Sequence, residues 1–102
     1  MNDKDYSDYI EKLYQDFPEM LTWRHSQTGE LFHACFSADP DDLAAIQKLL
    51  LDLRFLGSIN SVELPVFRDF KDKWGKLSIN WDGGCDLCDE LIEATEDRPR
   101  KR

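Results

Sequence analysis

The sequence predicts an α+β domain, and three observations carry that prediction. Apolar residues recur at three- and four-residue spacing near the N-terminus and again in the middle of the chain. Elsewhere they alternate on either side of glycine-bearing turns, the pattern of half-buried strands. The two patterns interleave, giving the order α-ββ-α-ββ-α. Such an order predicts two antiparallel hairpins forming one sheet packed against helices, as opposed to a doubly wound parallel sheet.

The first helix is read from "SDYIEKLYQDF", where Tyr6, Ile10, Leu13, Tyr14 and Phe17 form one stripe. Ser7 or Asp3 is expected to cap it and Pro18 to end it. "MLTWRHSQTGELFHACFS" then predicts a hairpin with strands near 20–25 and 30–36 around "SQTGE". In its second strand Phe32, Ala34 and Phe36 share one face, and Leu31, His33 and Cys35 the other. "SADPDD" is a helix start, with Asp39 as N-cap, Pro40 at the first helical position, and Asp41 and Asp42 where the helix dipole favours them. Leu43, Ile46, Leu49, Leu50 and Leu53 make the buried stripe of this central helix, and Gly57 is expected to stop it. A second hairpin is read from Val62, Leu64 and Val66 against Leu77, Ile79 and Trp81, reversing at "KDKWGK". Pro65 suggests that its first strand is an edge or carries a bulge. "DGG" leads into a final helix over about 85–96.

Length and charge bound the function. A chain of 102 residues with 41% hydrophobic residues makes one domain with a modest core. We expect residues 1–97 to be that domain and 98–102 to be a basic tail. Net charge is −8, yet Arg98, Arg100, Lys101 and Arg102 supply four of the thirteen basic residues. Without them the body has 9 basic residues against 21 acidic ones, a net of −12. Such a surface repels nucleic acid and anionic membranes and draws in basic partners. No apolar run approaches the roughly 20 residues needed to span a bilayer. The acidic opening "MNDKDYSDY" is unlike a secretory signal. Three cysteines, an odd number, argue against a disulfide framework. These features predict a soluble cytoplasmic protein.

"FRDFKDKWGKLSINWDGG" followed by the acidic helix "CDLCDELIEATEDR" resembles a widespread family of small uncharacterised bacterial and phage proteins. The family pattern runs Lys-Glu-Lys-aromatic-Gly-x-Leu, then a glycine turn and an acidic helix. Lys71, Asp72, Lys73, Trp74, Gly75 and Leu77 stand at the matching positions. The opening "YIEKLYQDFPEML" is also similar, while the middle of the chain departs from the pattern, and the end "RPRKR" replaces a cysteine-bearing end found in some relatives. The resemblance implies the α+β fold and brings no catalytic residue with it.

Cys85-Asp-Leu-Cys88 is the most visible chemical candidate, since a helix N-terminus favours a thiolate and this spacing serves both redox cycling and zinc. However, Asp82, Asp86, Asp89 and Glu90 crowd it with negative charge, which raises a thiol pKa. The βαβ setting of a thioredoxin-like site is also missing. We read the pair as a helix start. The alternative is a zinc module in which His33 and Cys35, two apart on one strand face, complete a tetrahedral set with Cys85 and Cys88. A nucleoside-deaminase reading fails because Cys35 stands where the acid belongs and Gly84 where proline belongs. Phosphate loops, HExxH and Gly-x-Ser-x-Gly are missing from the sequence. His25 is expected near the first turn, and Trp23, Trp74 and Trp81 in hairpin packing.

The expectation that follows is a non-enzymatic binding domain with no cofactor, docking on a basic surface of a protein partner such as a toxin or a nucleic-acid enzyme. Its contact surface is expected at Asp82, Asp86, Asp89, Glu90 and Glu93, with Trp74 at the hairpin edge. Inhibition of the immunity, antitoxin or anti-defence kind, by occlusion, is the function that fits. A self-associating domain, a homodimer formed through an open hairpin edge, is the other alternative.

Overall fold

The computed structural model describes residues 2–98. Helix α1 (Asp3–Asp16) buries Ile10 and Leu13, with Tyr6 and Tyr14 half-buried on the same stripe. Its cap is Asn2, one residue earlier than expected: the Asn2 Oδ1 accepts from the Asp5 N–H at 2.8 Å. The helix stops at Phe17, whose N–H still reaches the Leu13 carbonyl. Pro18 then opens a short helix α2 (Pro18–Leu21) instead of merely ending α1. A proline lacks the N–H that a first helical turn would leave unpaired, so it starts a helix as readily as it stops one. Phe17, Met20 and Leu21 are all buried by this arrangement.

The first hairpin is shorter than the alternation predicts. β1 (Thr22–Arg24) pairs antiparallel with β2 (Leu31–His33), closed by a turn in which the His25 N–H bonds to the Glu30 carbonyl at 2.8 Å. At Ala34 the predicted second strand breaks. The Ala34 N–H donates to the Leu21 carbonyl at 2.8 Å, and its own carbonyl accepts from the Tyr14 hydroxyl. The first bond is the last rung of the β1–β2 ladder, the second takes the carbonyl out of it, and there the chain changes partner. β3 (Cys35–Ser37) runs parallel to β4 (Pro65–Lys73), matching Cys35 to Asp69 and Ser37 to Lys71. The single sheet expected from two hairpins is therefore two sheets, one of two strands and one of three in the order β3-β4-β5. The fold class is α+β.

A 3-10 turn (Pro40–Asp42) leads into α3 (Leu43–Asn60), with Asp39 Oδ1 accepting from the Asp41 N–H at 2.9 Å as the capping signal requires. All five residues of the expected buried stripe, Leu43, Ile46, Leu49, Leu50 and Leu53, lie in the core. Gly57 does not stop the helix. Three more residues follow, and the left-handed residue that ends it is Ser61, at φ 53°. Gly57 matters for a different reason: a Cβ there would lie 2.9 Å from Leu64 Cδ2, so the glycine lets the chain after α3 fold back against the helix.

The second strand pair holds the core. β4 begins at Pro65, so Val62 and Leu64 precede it, and β5 (Lys76–Gly83) returns antiparallel. Proline is tolerated as the first residue of a strand. A β-bulge lies between Phe67 and Asp69, leaving Arg68 without a partner across the ladder and placing both Phe67 and Phe70 inside. Phe36, Phe70 and Phe67 stack in sequence, with ring centroids 4.6 and 5.1 Å apart. Trp74 and Gly75 make the reversal, both at positive φ (58° and 75°), the geometry that two-residue hairpin turns require. Helix α4 (Asp86–Asp97) then covers β5, burying Cys88 and Ile92. Arg98, grouped by sequence with the basic tail, bonds back to the Asp41 carbonyl and to the buried Asp42 carboxylate at 3.0 and 2.9 Å. Arg100, Lys101 and Arg102 lie outside the described residues. Among the described residues no helix is long and apolar enough to cross a membrane.

Candidate functional site

Gly83 and Gly84, at φ 73° and 87°, turn the chain from β5 into α4. At Gly84 a Cβ would meet Pro65 Cβ at 3.2 Å and Cys88 Cβ at 3.3 Å, so the helix start is packed directly on the start of β4. Cys85 is the N-cap residue of α4, and its carbonyl accepts from the Asp89 N–H at 3.0 Å. Its sulfur lies 3.3 Å from that of Cys88, which is fully buried. Burial pushes the Cys88 thiol up from its ordinary value of 9.0, and the neighbouring Cys85 and the charge of Asp89 add to the rise against a lowering backbone hydrogen bond. A thiol held protonated is the opposite of what a nucleophilic cysteine needs. Cys88 packs as a small apolar side chain, as a helix-start reading expects.

The zinc alternative does not assemble. Cys35 sits opposite Asp69 on β4, four strand residues and about 13 Å along from Pro65, where Cys88 packs. His33 is turned to the Tyr14 ring, edge-on at 4.9 Å. Among the described residues no group of three or more His, Cys, Asp or Glu side chains is placed to hold a metal ion. The expected sharing of a strand face by His33 and Cys35 is lost at the break at Ala34, which puts them on different strands in different sheets. His25 is exposed at the first turn, its Nδ1 accepting from the Gln27 and Thr28 N–H groups at 3.2 and 3.3 Å.

The carboxylates of α4 divide into two sets. Asp89, Glu96 and Asp97 face β5: Asp89 accepts from Trp81 Nε1 at 3.0 Å, Glu96 from the Ile79 N–H at 2.8 Å, and Asp97 pairs with Lys76 at 2.9 Å. The Glu96 bond occupies a backbone donor on the outer strand of the sheet, which blunts that edge against pairing with another chain. Asp86, Glu90 and Glu93 face solvent at spacings of four and three, one stripe of the helix, with Leu87 exposed beside them. Asp82 is exposed at the end of β5 but bonded to Arg68 at 2.6 Å. Of the expected contact set, Asp89 therefore belongs to the helix–sheet seam and Asp82 is partly neutralised. Asp86, Glu90 and Glu93 form the open part.

Trp74 is 96% exposed. It lies at the opposite end of α4 from Asp82, because Lys76, two residues on, pairs with the last residue of that helix. The separation along α4 is about 16 Å for eleven residues. At the Trp74 end is a shallow depression of about 400 Å³, lined by Trp74, Lys76, Leu77, Glu96 and Asp97 among others. The acidic stripe and the tryptophan thus lie apart and do not form one compact patch.

Sequence reasoning missed two features. One is the Arg98–Asp42 link, which joins residues 56 apart in sequence. The other is an exposed apolar row on α3, for which a signal existed: "LLLDLRFLGSI" carries more apolar residues than one buried stripe can use. No protein-family model, curated protein or solved structure matches this chain.

Proposed function

We propose that this protein is a small binding domain that docks the outer face of α4 on a basic surface of another protein. The observation that carries the reading is the division of the helix's carboxylates. Three are spent on the sheet, while Asp86, Glu90 and Glu93 stand in a solvent-facing row with no ion pair among the described residues. Carboxylates arranged this way steer a cationic partner and fix its orientation, and an aromatic anchor supplies affinity. Trp74, near the C-terminal end of α4, is that anchor. An exposed tryptophan held at positive φ serves stability poorly on both counts, and such outliers gather where binding needs them. The mechanism is occlusion in the cytoplasm, as in an immunity protein, an antitoxin or an anti-defence inhibitor, with a toxin or nucleic-acid enzyme as the target.

The test is a comparison of three proteins as bait in native lysate: the wild type, the triple charge reversal Asp86→Lys, Glu90→Lys, Glu93→Lys, and Trp74→Ala. A discrete basic protein, released from the wild type by moderate salt, should be lost with the triple reversal and weakened by Trp74→Ala. Equal capture by all three would remove this reading.

A further inference from the structure

Leu51, Phe55 and Ile59 stand at i, i+4 and i+8 on α3, on the side opposite its buried stripe, and are 51%, 66% and 61% exposed. At about 200 Å² per large side chain, the three leave roughly 350 Å² of apolar surface open to water. A patch of that size is on the scale of the largest apolar patch of a typical monomer, about 300–600 Å², which is often functional. We infer that it is the contact between two copies of this chain, with the α3 helices antiparallel across a two-fold axis at Phe55.

Charge selects that occupant. A protein of net charge −8 repels its own copy, so the two can meet only where carboxylates are scarce. α3 is such a place: of the 21 acidic residues it carries only Asp52, already paired with Lys48 at 2.7 Å. The row is also self-complementary. Antiparallel pairing about Phe55 sets Leu51 against the partner's Ile59 and Phe55 against the partner's Phe55, the isologous contact that a two-fold axis demands. It brings Lys48, on the same outer side of the helix, to the other copy's helix end, where unpaired carbonyls and the exposed Glu63 favour a cation. Two such patches bury about 700 Å² of apolar area, so the dimer belongs to the weak class, below the roughly 1,600 Å² of a standard interface.

This contact is independent of the α4 face, and the experiment keeps the two apart. Sedimentation equilibrium of the full chain, from a few micromolar to about 1 mM, should show the mass rise from 12.0 kDa towards twice that value. Added salt should strengthen the association by screening the mutual repulsion, whereas docking through α4 would weaken. Phe55→Arg should stay monomeric throughout with an unchanged circular dichroism spectrum, and Ile59→Lys gives the same test if the first variant does not fold. The α4 triple reversal should still dimerise. A wild type that is monomeric at 1 mM, or a dimer that persists in both α3 variants, would overturn the inference. Dissociation by Phe32→Arg in the first hairpin, with Phe55→Arg still dimeric, would move the contact to that hairpin.

Discussion

The two hairpins are written in the same sequence language, alternating residues around a glycine turn, yet they have opposite characters. In the first, β1 and β2 are three residues each, every residue of β2 is exposed, and Phe32 meets only the rings of Trp23 and His25. In the second, β4 and β5 run nine and eight residues and bury Phe67, Phe70, Leu77 and Ile79 in the core. Alternation shows that a segment is extended, but it does not show how deep the segment lies. Depth comes from what packs on the strand's face: α4 covers the second pair, while the first touches α1 through the Tyr14–His33 ring contact and leaves β2 exposed.

The sharpest way to break the comparison is to truncate one aromatic in each. Phe70→Ala should cost about 4 kcal/mol in urea unfolding, because it empties a site with rings on two sides. Phe32→Ala should cost about 1 kcal/mol or less, the scale of one exposed stacked pair. A similar but smaller contrast is expected for cysteines. Cys88→Ala, at the buried start of the second unit, should lose about 1 kcal/mol, while the exposed Cys35→Ala should change nothing measurable. At the tip of the second hairpin the sign should reverse. Trp74→Asn places a residue suited to positive φ before Gly75 and should raise the urea midpoint by the equivalent of about 0.5–1 kcal/mol, while weakening partner capture.

The smallest effect is a dependence on alkaline pH. Burial raises the Cys88 thiol above its ordinary 9.0 and the Tyr6, Tyr9 and Tyr14 hydroxyls above their ordinary 10.0. In each case the folded state holds its proton more tightly than the unfolded chain does. The stability this provides is complete below pH 9, and it is lost as pH rises through the folded-state values. Thermal midpoints should therefore begin to fall above about pH 9, with Cys88→Ala removing the earliest part of the decline. A midpoint that rose between pH 9 and 10.5 would contradict this.

Much of this fold can be read from local chemistry. The Asp39-Pro40 start of α3, its five-residue core stripe, the Lys-Trp-Gly-Lys reversal and the extent of α4 are all set by residues within a few positions of one another. What failed to show were the features decided at long range. The break at Ala34 depends on Tyr14 and on β4, the strand the chain joins next, and the glycine at position 57 answers to the close approach of Leu64. The candidate site was legible as a cluster of acids, but not as two sets. Which carboxylates turn inward depends on where Trp81, Ile79 and Lys76 sit on the strand beneath, and that is fixed by the β5–α4 packing.

One residue has a meaning that the hairpin alone does not suggest. Before Arg68 the buried residues of β4 are Pro65 and Phe67, odd-numbered, and after it Phe70, even-numbered, because the bulge changes the strand's parity. Arg68 is the spare count, and its guanidinium lies over the Trp23 ring at 4.4 Å while its Nε binds Asp82. Deleting Arg68 would restore an unbroken count and leave both phenylalanines inside. It would also remove the rivet between the two sheets, so that the small one could peel away while the large one stayed whole.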